Sequence, residues 1–174
     1  MTVAWPLAAI GISVAIVAAI VDMRTGKIPN MLTVLGMTAG LVGGAIFGGL
    51  QGAMMAIVGG LAASIVPLLL FRAGAMGGGD VKLLAALGAL LGLEMGLELE
   101  TLAFLTGSAQ GVFVWIRQGR MKAGLCAVAS LALPFAGARL RRRQEIGSAS
   151  RTSIRFGPAI LVGTIAAFAL RVAG

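Results

Sequence analysis

Val21-Asp22-Met23-Arg24-Thr25-Gly26-Lys27-Ile28-Pro29-Asn30-Met31 is a short polar hinge between two apolar runs, Trp5–Val21 and Met31–Leu50. At about 1.5 Å per helical residue, each run is about long enough to cross a hydrocarbon core roughly 30 Å thick. The hinge leaves room for a turn and little else, so the chain opens as a hairpin of two membrane helices. It also carries an acid at the end of the first run. Carboxylates are costly at membrane depth, which makes Asp22 a functional candidate by default.

Working outward, further apolar runs cover Ala53–Phe71, Val81–Leu97, Thr101–Ile116 and Pro158–Val172. Composition agrees: 59% of residues are hydrophobic and 11% charged, against roughly 25% charged in soluble domains. The mean hydropathy is +1.01. The first 21 residues lack a basic n-region and a small-residue cleavage site before a soluble domain, so they read as a retained helix. There is no histidine, which argues against most zinc sites, and Cys126 alone forms neither an intramolecular disulfide nor a zinc knuckle. Neither a metal nor another cofactor is expected.

Basic residues favour the cytoplasmic side. With the N-terminus outside and six spans, 13 of the 14 Lys and Arg lie in the cytoplasm, leaving Arg171 outside. Glu94, Glu98 and Glu100 then face the exterior. A seventh run, Ala123–Ala138, would strand Arg139, Arg141, Arg142 and Arg143 outside if it crossed. It is therefore read as an interfacial or re-entrant helix on the cytoplasmic face, beside anionic lipid. The expected fold is all-α: a polytopic bundle of six transmembrane helices plus this surface helix. It forms one membrane-embedded domain over 1–174, with a site-bearing half at 1–100, a basic segment at 117–157 and a last span at 158–172.

Span parity brings a second acid to the same face as Asp22. Asp80 closes a glycine run, Gly77-Gly78-Gly79-Asp80-Val81-Lys82. If Glu94 marks the outer boundary of the fourth span, Asp80 lies about 21 Å from it along a helix, below the cytoplasmic headgroups, unless the helix runs on to Glu98 or Glu100. The triple glycine fits a buried turn with positive φ or close backbone approach. Structural roles are open as well: Asp80 as the N-cap of its helix, and Asp22 as an interfacial partner of Arg24 or Lys27, with Pro29 opening the next helix. A catalytic aspartate can also cap a helix.

Asp22 followed by Ile28-Pro29-Asn30, with Gly77-x-Gly79-Asp80-Val81-Lys82 before the fourth span, resembles the type IV prepilin peptidases, membrane aspartyl proteases of the GxGD class. Ile154-Arg155-Phe156-Gly157-Pro158-Ala159-Ile160 is similar to the lead into that family's last helix. The short first loop resembles the minimal form found with tight-adherence (Flp) pili. The resemblance implies an aspartyl endopeptidase of the bacterial inner membrane, with Asp22 and Asp80 catalytic and the site at the cytoplasmic face. Gly77, Gly78, Gly79, Pro29 and Asn30 would support that site. The implied substrate is a prepilin or pseudopilin, cut between a short basic leader and an apolar helix. Lys27 and Lys82 are candidates to meet a glutamate after the cut, or they simply snorkel to the interface. The loop from Asp22 to Asn30 has no room for the cysteine-bearing insert associated with N-methylation, so cleavage without methyl transfer is expected. Nucleic acid is not an expected partner.

Two other classes fit an apolar chain with paired acids. One is a proton-coupled transporter or channel component; the other is a non-catalytic pilus or secretion assembly subunit. Gly40, Gly44, Gly48 and Gly52 form a four-residue ladder that permits close helix approach. Packing within the chain is its default use, and a homodimer through Gly40, Gly44 and Gly48 is the alternative.

Overall fold

The computed structural model describes residues 5–119 and 155–173. The expected surface helix 123–138 and most of the basic, lipid-facing segment lie outside them. The described residues form four α-helices and no strand: α1 Trp5–Thr25, α2 Asn30–Arg72, α3 Gly78–Arg117 and α4 Gly157–Ala173. By length and composition, α1 and α2 can each cross a membrane. Residues Met1–Gly107 with Arg155–Gly174 make one compact unit, and Ser108–Ile154 make another. In the second unit, the described end of α3 lays the Arg117 guanidinium over the Phe113 ring, 4.8 Å from its centroid.

In the first unit, α2 and α3 are each folded back on themselves at one glycine. Gly49 (φ 60°, ψ −149°) divides α2, and Gly92 (φ 79°, ψ 178°) divides α3. A side chain is strained at such positive φ. The fold-back is tight because small residues face one another across each turn. A Cβ on Gly44 would lie 2.7 Å from the Gly52 carbonyl oxygen, and one on Gly96 would lie 3.0 Å from Gly88 Cα. Residues eight apart in a continuous helix would be about 12 Å apart. The described residues thus give six helical segments: 5–25, 30–48, 50–72, 78–91, 93–117 and 157–173.

Two expectations need correction here. The turn between the fourth and fifth segments falls at Gly92, inside the stretch read as one span to Leu97. Consequently Glu100 is not in an outer loop but well into the fifth segment, where it is only 4% exposed. Glu94 and Glu98 are at the surface, both bonded to Arg171 of α4 (Nη2 to Glu98 Oε1 3.0 Å, Nη2 to Glu94 Oε2 3.4 Å).

The segment 78–91 is the axis of the bundle. Residues 83–91 are buried without interruption, and Leu83, Leu84, Leu87, Leu90 and Leu91 fill the core with Met95, Leu99 and Ile160. Around this axis, α1 buries Leu7, Gly11, Val14, Ala15, Ala18, Ala19 and Asp22. Their spacing of three and four is one helical stripe, and Asp22 is its last member, so it faces inward. The opposite face exposes Ile10, Ile16, Val17 and Ile20. With α2 exposing Leu35, Val42, Ile46, Leu61, Ile65 and Leu69, the outer surface is too apolar for water and suits lipid.

Glycines allow the closest crossings. Gly40 packs on the Ala89–Leu90 backbone, where a Cβ would meet the Ala89 carbonyl carbon at 2.7 Å. Gly59 and Gly88 cross backbone to backbone. The Gly40 and Gly44 faces are thus occupied by the chain's own helices, while Gly48 has open space around it.

Candidate active site

Two chain reversals at one end of the bundle build the site. The first ends α1. Gly26 takes φ +67° and donates its N–H to the Asp22 carbonyl oxygen at 2.8 Å, a left-handed stop that glycine accommodates without Cβ strain. Thr25 Oγ1 then bonds the Val21 and Lys27 carbonyl oxygens (2.9 and 3.0 Å), fixing the next residues. Pro29 is extended (φ −63°, ψ 130°), and its carbonyl accepts the Leu32 N–H at 3.2 Å, so it caps α2 from outside the first turn.

The second reversal ends α2. Gly74 has φ +75°; Ala75 N–H bonds the Leu70 carbonyl, and Gly74 N–H that of Phe71 (both 2.9 Å). This is the paired closure of a Schellman motif. Left-handed geometry therefore resides at Gly74 and not in the triple glycine, contrary to one expectation; close approach is what those residues supply. A Cβ on Gly77 would lie 3.0 Å from Asp80 Oδ2, one on Gly78 3.3 Å from the Phe71 ring, and one on Gly79 3.1 Å from Ile28 Cβ. Each glycine thus has its own neighbour, and Gly79 lets the first reversal seat against the second.

Between the reversals is a cavity of about 310 Å³, lined by Asp22, Gly26, Lys27, Ile28, Asn30, Gly77, Gly78, Gly79 and Asp80. The structure therefore brings both aspartates to one hollow. Asp80 is in the first turn of α3, and its carboxylate accepts the Gly77 N–H. This is the return half of a capping box, so Asp80 does help cap its helix, from inside the first turn. Asp22 is 6% exposed. Its Oδ2 accepts the Gly157 N–H of α4 at 3.0 Å, and no ion pair joins it to Arg24 or Lys27 among the described residues. The two carboxylates are near enough for the Asp22 charge to act on Asp80.

The predicted lysines diverge. Lys27 lines the cavity. Lys82 does not; its Nζ donates to Asn30 Oδ1 at 2.9 Å and ties the start of α2 to the start of α3. Three further participants were not assigned to the site from the sequence, although Ile28 and Gly157 stand within the motifs quoted above. Ile28 packs over Gly79, Phe71 packs over Gly78, and Gly157 holds Asp22. No cluster of His, Cys, Asp and Glu suited to a metal occurs among the described residues. Two carboxylates on such a hollow can hold a water and exchange its protons; acyl transfer to water is the chemistry such a pair serves.

Comparison with known proteins bears on the same stretch. The type IV leader peptidase family matches residues 9–116, which include both aspartates and both reversals. Two curated relatives, each described as a prepilin leader peptidase/N-methyltransferase, come from Burkholderia pseudomallei strains 1026b and K96243. Each is 37% identical over 124 residues, a match covering 67% of this chain and 40% of the relative. The chain thus spans well under half the length of these relatives. No solved structure matches. With the family's pattern running through most of the chain and both reversals, the protein belongs to the type IV leader peptidase family.

Proposed function

We propose that this protein is an aspartyl endopeptidase that removes the short basic leader of Flp-like prepilins at the cytoplasmic face of the bacterial inner membrane. The observation that carries this reading is the meeting of Asp22 and Asp80, from different helices, on one 310 Å³ cavity. Family membership supplies the substrate class. In the proposed topology the six helical segments all cross, the N-terminus is outside, and the cavity opens at the cytoplasmic boundary where a prepilin's leader meets its apolar helix.

In this mechanism the two carboxylates share one proton, because neighbouring like charges resist double ionisation. The ionised member takes a proton from a water held between them, and that water attacks the scissile carbonyl. The protonated member donates to the carbonyl oxygen and helps form the tetrahedral intermediate. Collapse breaks the C–N bond as a proton passes to the leaving amine. In this reading Lys27, which lines the cavity, meets an acidic side chain of the substrate, and Lys82 acts through its hydrogen bond to Asn30.

Cleavage proceeds without methyl transfer in this reading. Residues 26–29 alone link α1 to α2, and Cys126 has no second cysteine. The test is cleavage of a co-expressed Flp-type prepilin in membranes, comparing wild type with Asp22→Asn and Asp80→Asn at matched protein levels. Both variants should lose the cut while retaining their fold. Cleavage persisting in either one rules out the two-aspartate mechanism.

A further inference from the structure

The family match ends before α4 begins, yet among the described residues the one hydrogen-bond donor to the Asp22 side chain comes from α4. We propose that Phe156 and Gly157 are positioning residues for the Asp22 carboxylate: Gly157 holds it directly, and Phe156 fixes where Gly157 sits. This rests on the peptidase reading above.

Asp22 is in the last turn of α1, whose free carbonyl groups disfavour a nearby carboxylate. The start of α4 supplies the opposite. Ile160 N–H closes the first helical bond onto the Phe156 carbonyl at 3.1 Å, so Phe156 is the cap and Gly157 the first residue inside. Its N–H has no partner in its own helix. It is spent on Asp22 Oδ2, at 3.0 Å in a buried setting. Pro158 follows, where no N–H is needed and its fixed φ suits the first turn.

The contact leaves no room for a side chain. A Cβ on Gly157 would lie 2.8 Å from both Asp22 Cβ and Oδ2, well inside ordinary contact, so even alanine must displace the carboxylate or lift the start of α4. The Phe156 ring then anchors that start. It occupies the space a Cβ on Gly107 would take and packs on Phe104 at 5.8 Å between centroids, tilted by 47°. A seat in the fifth segment thus sets α4, and α4 sets one oxygen of Asp22.

Full-length protein in proteoliposomes, with a purified prepilin, tests this through kcat and KM. Gly157→Ala should lower kcat by about a hundredfold, the scale associated with misplacing a catalytic group by an ångström, with KM within about twofold. Gly163→Ala is the control, because a Cβ there would lie 2.6 Å from Ala103 N and disturb α4 packing away from Asp22. Per folded molecule its kcat should hold. Gly107→Ala should lower kcat, and adding Phe156→Leu, which vacates the contested space, should restore part of it.

Carboxyl labelling by a carbodiimide, read by peptide mass spectrometry, gives an arm independent of cleavage. Gly157→Ala should increase labelling of Asp22 several-fold and leave Asp80 as in wild type. If Gly157→Ala does not fold, Gly107→Ala carries both readouts. Unchanged kcat and labelling, or equal losses in Gly157→Ala and Gly163→Ala, overturn the proposal. A wild type that cleaves nothing sinks the peptidase reading instead; the labelling pattern still decides whether α4 positions Asp22.

Discussion

The three glycines before Asp80 should respond differently to one added methyl group, with the middle one nearly dispensable. A Cβ on Gly78 would touch Phe71 Cε2 at 3.3 Å, a few tenths of an ångström inside ordinary contact. Phe71 is 47% exposed, so its ring can turn outward. Against that small penalty, alanine gains up to about 0.8–1 kcal/mol over glycine in a helix. Gly78→Ala should therefore cleave prepilin within about twofold of wild type, with its thermal midpoint equal or higher. Gly79→Ala meets Ile28 Cβ at 3.1 Å and Ile28 N at 3.5 Å. Here the backbone of 26–29 must shift, carrying Lys27 with it and widening the cavity. Misplacement approaching an ångström costs up to about a hundredfold in rate, so a loss of roughly tenfold or more is expected. Gly77→Ala presses on Asp80 Oδ2 at 3.0 Å and should also impair cleavage. The assay is single-time-point cleavage in membranes, normalised to enzyme level, with melting followed in detergent. If Gly78→Ala were as defective as Gly79→Ala, the assignment of separate neighbours to the three glycines would be wrong.

Gly40→Ala should destabilise by about 1–3 kcal/mol, the usual range for overpacking, because Ala89 and Leu90 backbone blocks its Cβ. Gly48→Ala, with open space around it, should melt like wild type; oligomeric state measured alongside will show whether that open glycine serves a homodimer. Lys82→Met and Asn30→Ala each remove the same 2.9 Å hydrogen bond, so a double-mutant cycle on melting should show coupling of about 0.5 kcal/mol or more, and strict additivity would exclude the tie. Glu100 is buried, and its Oε1 has no hydrogen-bond partner among the described residues. Glu100→Gln keeps its shape without an ionisable group, so the thermal midpoint should be unchanged or higher; a fall of several degrees would reveal an ion pair.

Much of this arrangement was legible because membrane chains are strongly constrained. Two hydrophobic runs joined by a polar hinge can only be a hairpin, and counting spans places Asp22 and Asp80 at one end. The Gly92 turn was hidden because the apolar run passes through it unbroken, while Glu98 and Glu100 look like a loop. The available clue was local. Gly88, Gly92 and Gly96 repeat the logic of Gly44, Gly49 and Gly52: small residues eight apart on either side of a glycine that turns the chain. The Gly157–Asp22 contact left no such trace. It joins residues 135 apart, and no periodicity within a helix reports on a neighbour so distant.

The early turn at Gly92 has a consequence for where the chemistry takes place. The segment 78–91 extends about 21 Å, short of a hydrocarbon core roughly 30 Å thick. A lipid-facing helix this short would demand a thinned bilayer. This one is enclosed by protein from Leu83 to Leu91, so its length need not match the lipid. In the proposed topology, a Gly92 turn at the outer boundary puts Asp80 about 18 Å further in, still within the depth of the membrane. Gly77, just ahead of α3, is then non-helical backbone below the headgroups, tolerated because it borders a cavity and not lipid. A short central helix with longer helices around it thus recesses the two carboxylates, and the substrate's own boundary between leader and apolar helix must be drawn in to meet them. Depth-dependent quenching of a spin label or fluorophore attached at position 78 should report a site inside the headgroup plane; a label at bulk-water depth would refute the recess.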